Sequence, residues 1–220
     1  MSLEIEAKFM EININDLRKK IKENGGKRVH KMVMYKRYVF DLLVSKEKGY
    51  IRTRDENGRI TITLKKYPPN TKFAKEYEIL LDKQSTIEDA KELLLAQGYK
   101  IKAYHETLRE KWSIDGCPEI AIDTLPGIPT YVELECKNEG QIKKVSKLLG
   151  FDMKNAKYGP YVNQYKDYYN IDIDNNIHPS ITFKNIITEL KPSSNDQKKL
   201  LIKLKKDNLD IIKKNKIHYI

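Results

Sequence analysis

Polar and apolar residues alternate through much of this chain. Glu4, Glu6 and Lys8 alternate with Ile5, Ala7 and Phe9. A period of two places charge on one face of a strand and apolar side chains on the other, so residues 2–10 read as a strand. The pattern then changes to a helical period from Asn13 or Asn15 to about Asn24, where Gly25-Gly26 stops it. Residues 28–40, rich in Val, Met, Tyr and Phe, read as one or two strands. Residues 50–54 and 59–66 read as a hairpin turning at Glu56-Asn57-Gly58. A strand over 73–81 precedes Ser85-Thr86-Ile87-Glu88, which reads as a capping box for a helix ending at Gly98. Residues 99–114 read as a long strand or two. Strands over 119–123 and 130–137 flank the turn Pro126-Gly127-Ile128-Pro129, and a helix over 139–149 ends at Gly150. Residues 158–169 are tyrosine-rich, with a pattern that suits helix packing. A polar break at Pro192-Ser193-Ser194-Asn195 leads into a basic C-terminal helix.

A Glu-x-Glu strand, an amphipathic helix and a glycine stop occur in that order three times. The pairs are Glu4/Glu6, Glu76/Glu78 and Glu133/Glu135, and the stops are Gly25, Gly98 and Gly150. The spacings are unequal, so this is not a solenoid array.

The charged faces share one chemistry. Arg52 and Arg54 flank Thr53; Thr61, Thr63 and Lys65 alternate with Ile62 and Leu64; Arg109 and Lys111 alternate with Leu108 and Trp112. Glu119, Ala121 and Asp123 alternate with Ile120 and Ile122. Only Glu110 breaks the apolar side. An antiparallel sheet with one wet face is the plain alternative, but such faces also use Ser, Gln and Asn, which are scarce here. Three amphipathic helices are available to cover the apolar faces, leaving the charges to point inward. The pattern therefore predicts an α+β fold, an antiparallel β-barrel with a charged interior and helices outside. A barrel lined by charge must hold water, ions and ligand, because unpaired buried charge costs several kcal/mol per group.

Composition narrows the partner. The 220 residues carry a formal charge of +11, which favours anions such as nucleotides, polyphosphate or RNA. From Lys191 to Ile220 there are nine lysines against three aspartates, so RNA or another polyanion is a candidate partner for that end. Cys117 and Cys136 match no zinc spacing and no disulfide framework. With no export signal and no apolar run long enough to span a bilayer, a reducing cytoplasmic location is expected and a membrane partner is not. Carboxylates beside Arg and Lys suit a hard divalent cation, Mg²⁺ or Mn²⁺, bridging to phosphate oxygens. Six cations exceed the needs of one phosphate and suit three in a row.

Taken in order, these residues resemble the CYTH family, the triphosphate tunnel metalloenzymes named for class IV adenylate cyclase and thiamine triphosphatase. The resemblance rests on Glu4-x-Glu6-x-Lys8, Arg52-x-Arg54, Thr63-x-Lys65, Glu76-x-Glu78, Arg109-x-Lys111, Asp123 with Pro126-Gly127, and Glu133-x-Glu135. It covers roughly residues 1–170 and implies an eight-stranded antiparallel tunnel over 1–175; residues 176–220, whose last part the family pattern does not cover, read from their composition as a basic, mostly helical extension. It also implies metal-dependent hydrolysis of a triphosphate-containing small molecule: inorganic, nucleoside, thiamine or RNA 5′-triphosphate. Conversion of ATP to cyclic AMP is the alternative. Glu4, Glu6, Glu133 and Glu135 would hold metal, with Asp123, Glu76 and Glu78 assisting. Lys8, Arg52, Arg54, Lys65, Arg109, Lys111 and Lys157 would grip phosphates. Glu4, Glu6, Lys8 and Arg109 would carry the chemistry. Monomer and homodimer both stay open.

Other features have plain readings. Asp172-x-Asp174-x-Asn176 hints at a calcium loop, but Ile177 and Phe183 occupy the positions that need Gly and Glu. Trp112 reads as core. His30, His105, His178 and His218 form no constellation.

Overall fold

A computed structural model describes residues 2–43, 48–173 and 180–219. The expected boundary at 175/176, positions 174 and 176 of the rejected calcium loop, and His178 lie outside the described residues. The chain order is β1 (Ser2–Glu4), β2 (Glu6–Phe9), α1 (Ile14–Glu23), β3 (Lys27–Asp41), β4 (Lys48–Asp55), β5 (Ile60–Tyr67), β6 (Ala74–Leu80), α2 (Ile87–Ala96), β7 (Ile101–Ile114), β8 (Cys117–Thr124), β9 (Tyr131–Glu135) and α3 (Glu139–Leu149). A short 3-10 turn (Met153–Asn155), α4 (Asn163–Tyr169), β10 (Ser180–Ile181), α5 (Ile186–Glu189) and α6 (Asn195–Lys214) follow.

The strands hydrogen-bond in the order β1-β6-β5-β4-β3-β7-β8-β9-β2, all antiparallel, with β10 added in parallel to β7. Only Ile5 separates β1 from β2. The first half of this N-terminal strand pairs with β6 and the second half with β9. The ring of strands therefore closes through Ile5, and counting β1 and β2 as one bent strand gives the expected eight. The expected single strand over 2–10 is thus split where it changes partners.

The outward faces build the core. Ala7, Phe9, Met34, Leu108, Trp112, Ile120, Ile122, Val132 and Leu134 pack beneath Leu17 and Ile21 of α1 and Ile142, Val145 and Leu149 of α3, with Ile212 of α6 in the same cluster. A second cluster joins Leu125, Ile128 and Tyr131 to Tyr165 and Tyr169 of α4 and Leu201 of α6. Cover is incomplete over β6, where Tyr77 and Ile79 are exposed. Glu110, the break in the apolar pattern, is buried under α1. Arg18 grips it with Nε–Oε1 2.9 Å and Nη2–Oε2 2.6 Å, and Trp112 Nε1 donates to it at 2.6 Å.

Two expectations need correction. The α2 cap is Thr86 with Asp89, one residue later than the Ser85/Glu88 box, because Thr86 Oγ1 accepts from the Asp89 N–H while Asp89 accepts from the Thr86 N–H. Cys117 and Cys136 form a disulfide. They are 19 apart in sequence, a spacing that resembles no framework, but the β8–β9 pairing brings their ends of the sheet together. Among the described residues, no helix is long and apolar enough to cross a membrane.

Candidate active site

The inward faces enclose a cavity of about 550 Å³. Every expected site residue except Lys157 lines it: Glu4, Glu6, Lys8, Arg52, Arg54, Lys65, Glu76, Glu78, Arg109, Lys111, Asp123, Glu133 and Glu135. Lys157 is placed elsewhere. Its backbone bridges that of Lys8, with N···O 2.9 Å in both directions, while its ammonium meets Asp167 at 3.1 Å on the surface. Its place in the chain beside β2 fixed the backbone, but the side chain points away from the cavity.

Ion pairs hold the lining together. Lys8, 2% exposed, lies 2.6 Å from Glu6 and 2.9 Å from Glu133. Burial opposes its charge, but Glu133 and Glu6 outweigh it and hold Lys8 above its ordinary pKa. Glu133 is held well below its own: Lys8, Arg109 and Lys65 overcome the cost of its burial. Arg109 forks onto Asp123 at 2.8 and 2.6 Å and reaches Glu119 at 2.8 Å. Arg52 meets Glu76 at 3.2 Å, and Arg54 meets Glu78 at 3.4 Å as well as Glu56. Lys65 pairs with Glu4, and Lys111 with Glu119.

Strand register nevertheless lines up like charges. Glu6, Glu135 and Glu119 stand directly opposite one another across β2, β9 and β8. Arg37 stands directly opposite Arg54 across β3 and β4. Such pairs are destabilising unless something of opposite sign lies between them. Burial, then Glu119, Glu4, Glu133 and Glu6, push the Glu135 carboxyl up to about 8. Glu6 and Glu4 are also raised, chiefly by burial. On the basic side, Nε of Arg37, Arg52 and Arg54 is buried without a hydrogen-bond partner. The cavity thus leaves Glu135 on its acidic side, and Arg37 on its basic side, among like charges and without an ion-pair partner among the described residues.

Several lining residues were not singled out from sequence: Tyr35, Arg37, Glu56, Arg59, Glu119, Tyr131 and Tyr161. Glu119 was visible in the alternation of its strand. The Tyr35-x-Arg37 spacing was also present, but β3 is rich in aromatic and basic residues on both faces, and its register shifts against β7 hide the period. His30 and His105 both belong to this region. His30 lines the cavity and its Nε2 lies 2.9 Å from the Tyr35 hydroxyl. His105 is buried behind Tyr161, whose hydroxyl meets its Nδ1, and burial followed by Arg37 and Lys102 pushes its imidazole down to about 3.

Among the described residues, no group of three or more His, Cys, Asp or Glu side chains converges as a ready metal cage. The ion pairs explain this, because Glu4, Glu6 and Glu133 are each turned toward Lys8 or Lys65. The donor set still fits a hard cation. Among the described residues Glu135 has no cationic partner, and it lies in a row of carboxylates whose mutual repulsion a divalent ion would relieve.

The sequence model of the CYTH domain matches residues 2–149. The PH1012 protein of Pyrococcus horikoshii OT3 shares the fold at 20% identity and a TM-score of 0.61, over 73% of this chain and 98% of its own. A conserved hypothetical protein of Pyrococcus furiosus aligns with a TM-score of 0.61 and 20% identity, over 74% and 99%. A Vibrio parahaemolyticus protein described as an adenylate cyclase candidate aligns with a TM-score of 0.58 and 13% identity, over 75% and 98%. No curated protein sequence matches the chain.

Proposed function

The chain belongs to the CYTH family, whose members act on triphosphates with divalent metal, and on that premise we propose that it is a Mg²⁺- or Mn²⁺-dependent triphosphatase. The observation that carries this reading is the opposed pair of like-charge rows, Glu6-Glu135-Glu119 and Arg37-Arg54, inside one cavity. Within these rows Glu135 and Arg37 have no ion-pair partner among the described residues, and a metal–triphosphate complex would supply opposite charge to both.

In this reading Glu4, Glu6, Glu133 and Glu135 hold the metal. Once bound, the ion screens phosphate charge and lowers the pKa of a coordinated water. Lys8, Arg52, Arg54, Lys65, Arg109 and Lys111 bind and align the phosphates, guanidiniums as forks and lysines as point charges. Asp123 fixes the Arg109 fork, and Glu76 and Glu78 orient Arg52 and Arg54. The enclosed cavity limits bulk water and strengthens each of these interactions.

The test is purified full-length chain with Mg²⁺ or Mn²⁺ and, separately, inorganic triphosphate and ATP. Orthophosphate with pyrophosphate or ADP is the expected outcome, and chelation with EDTA should abolish it. Pyrophosphate with cyclic AMP from ATP would replace this reading with a cyclase. The basic face of α6 offers a separate site for RNA or another polyanion, read out as salt-sensitive affinity lost on Lys→Glu substitution of its exposed lysines.

A further inference from the structure

Arg37 is unlike every other cation in the cavity. Lys8, Arg52, Arg54, Arg59, Lys65, Arg109 and Lys111 each pair with at least one carboxylate. Arg37, 5% exposed, has none among the described residues. Its Nη2 donates to Thr107 Oγ1 at 2.5 Å, its Cζ lies 5.0 Å from the centre of the Tyr161 ring, and its Nε has no partner. A hydroxyl and a ring face compensate only part of a buried charge, and leaving one unpaired costs several kcal/mol. The residue directly opposite is Arg54, another cation. Burial, with Arg52, Arg109 and Arg37 among the neighbours, holds the Arg54 guanidinium below its ordinary pKa even though Glu56 opposes this.

Among the described residues no carboxylate balances the Arg37 charge, yet the site holds its shape. Thr107 tethers one end of the guanidinium on β7, while Tyr161, anchored by His105, covers its face. The unsatisfied Nε–H is left as a donor. We propose that Arg37 is a phosphate-binding residue and forms with Arg54 a two-guanidinium clamp on one phosphate of the substrate; this rests on the triphosphate reading above. A phosphate between them accepts charge-assisted hydrogen bonds from both and removes the repulsion across the pair.

The experiment is calorimetric titration of inorganic triphosphate into the full chain as wild type, Arg37→Gln, Arg37→Lys and Thr107→Val, with the unliganded melting temperature of each. Arg37→Gln should weaken binding at least tenfold while melting at or above wild type, because it removes an uncompensated charge. Arg37→Lys, which keeps the charge and loses the fork, should fall between. If Arg37 merely braces Thr107 and Tyr161, Arg37→Gln melts lower and binds like wild type, and the proposal is overturned. Should Arg37→Gln fail to fold, Thr107→Val decides. It keeps the cation and frees its tether, so threefold or greater weakening supports the clamp and unchanged affinity overturns it. A wild type that does not bind inorganic triphosphate brings down the triphosphate reading and the clamp together. Equal binding by wild type and a folded Arg37→Gln removes only the clamp.

Discussion

Single side chains in this tunnel are defined by their neighbours more than by their type. Lys8 sits between Glu6 and Glu133 with its charge enforced by both. If it grips phosphate, Lys8→Met should cut release of orthophosphate from inorganic triphosphate by about 10²–10³-fold, the scale seen when one charge-stabilising donor is lost. Circular dichroism is needed alongside, since removing one partner of a buried pair also costs stability. Undiminished turnover in folded Lys8→Met would take this residue out of the chemistry. Glu135 makes a pH prediction for the metal-free protein. Its folded-state pKa of about 8 lies above the ordinary 4.5 of a glutamate, so the native state binds the proton more tightly than the unfolded chain. That contribution is full at low pH and is lost as pH climbs toward 8. Melting temperatures measured with chelator should show Glu135→Gln gaining on wild type steadily between these limits. Parallel curves would mean that Glu135 titrates normally. The carboxylates and cations themselves were legible in the alternation, whereas their states depend on the register between distant strands.

Elements show where local pattern suffices and where it does not. The three helices ending at Gly25, Gly98 and Gly150 were all readable, and Gly150 takes the left-handed φ of 84° that favours glycine at a helix end. The break at Ile5 was not readable, because nothing local to Glu4–Glu6 signals a change of partner from β6 to β9. Glu110 looked like a flaw in its strand until α1 brought Arg18 over it. Arg18→Met should therefore destabilise the protein by about 3 kcal/mol, the lower end of the cost of a buried charge losing its partner. The Arg18→Met/Glu110→Gln pair should recover part of that loss. Urea unfolding midpoints check both, and a single variant as stable as wild type would mean that Glu110 finds its compensation elsewhere.

The molecule as a whole joins its last helix to the tunnel. Leu201, Leu204 and Ile212 of α6 are buried, Asn208 Oδ1 accepts from the Gly127 N–H at 2.8 Å, and Gly127 (φ 70°) is so close that an added Cβ would lie 2.6 Å from Leu201. Burying each large aliphatic side chain contributes roughly 1.5–3 kcal/mol. Deleting residues from 194 onward should therefore remove a large part of a domain's usual 5–15 kcal/mol. The truncated chain is expected to melt well below the full chain or to fail to fold. A truncated chain with an unchanged melting temperature would show α6 to be a dispensable attachment. Charge reversal on its exposed lysines, which leaves this packing intact, is accordingly the cleaner probe of polyanion binding.

A two-residue alternation of charge was enough to reveal strands with one ionic and one apolar face, helices to cover the latter, and a closed sheet with charge inside. That much is local, because side-chain direction along a strand follows from backbone geometry. Which charges oppose which is set by the pairing of strands far apart in sequence: Arg37 against Arg54, and Glu6 against Glu135 against Glu119. Strand pairing also joined Cys117 to Cys136, while contacts from outside the sheet gave Glu110 its partner on α1 and Lys157 its partner on α4. Electrostatic energy depends on distance through space, so the like-charge oppositions around Glu135 and Arg37 emerged only once the strands had closed.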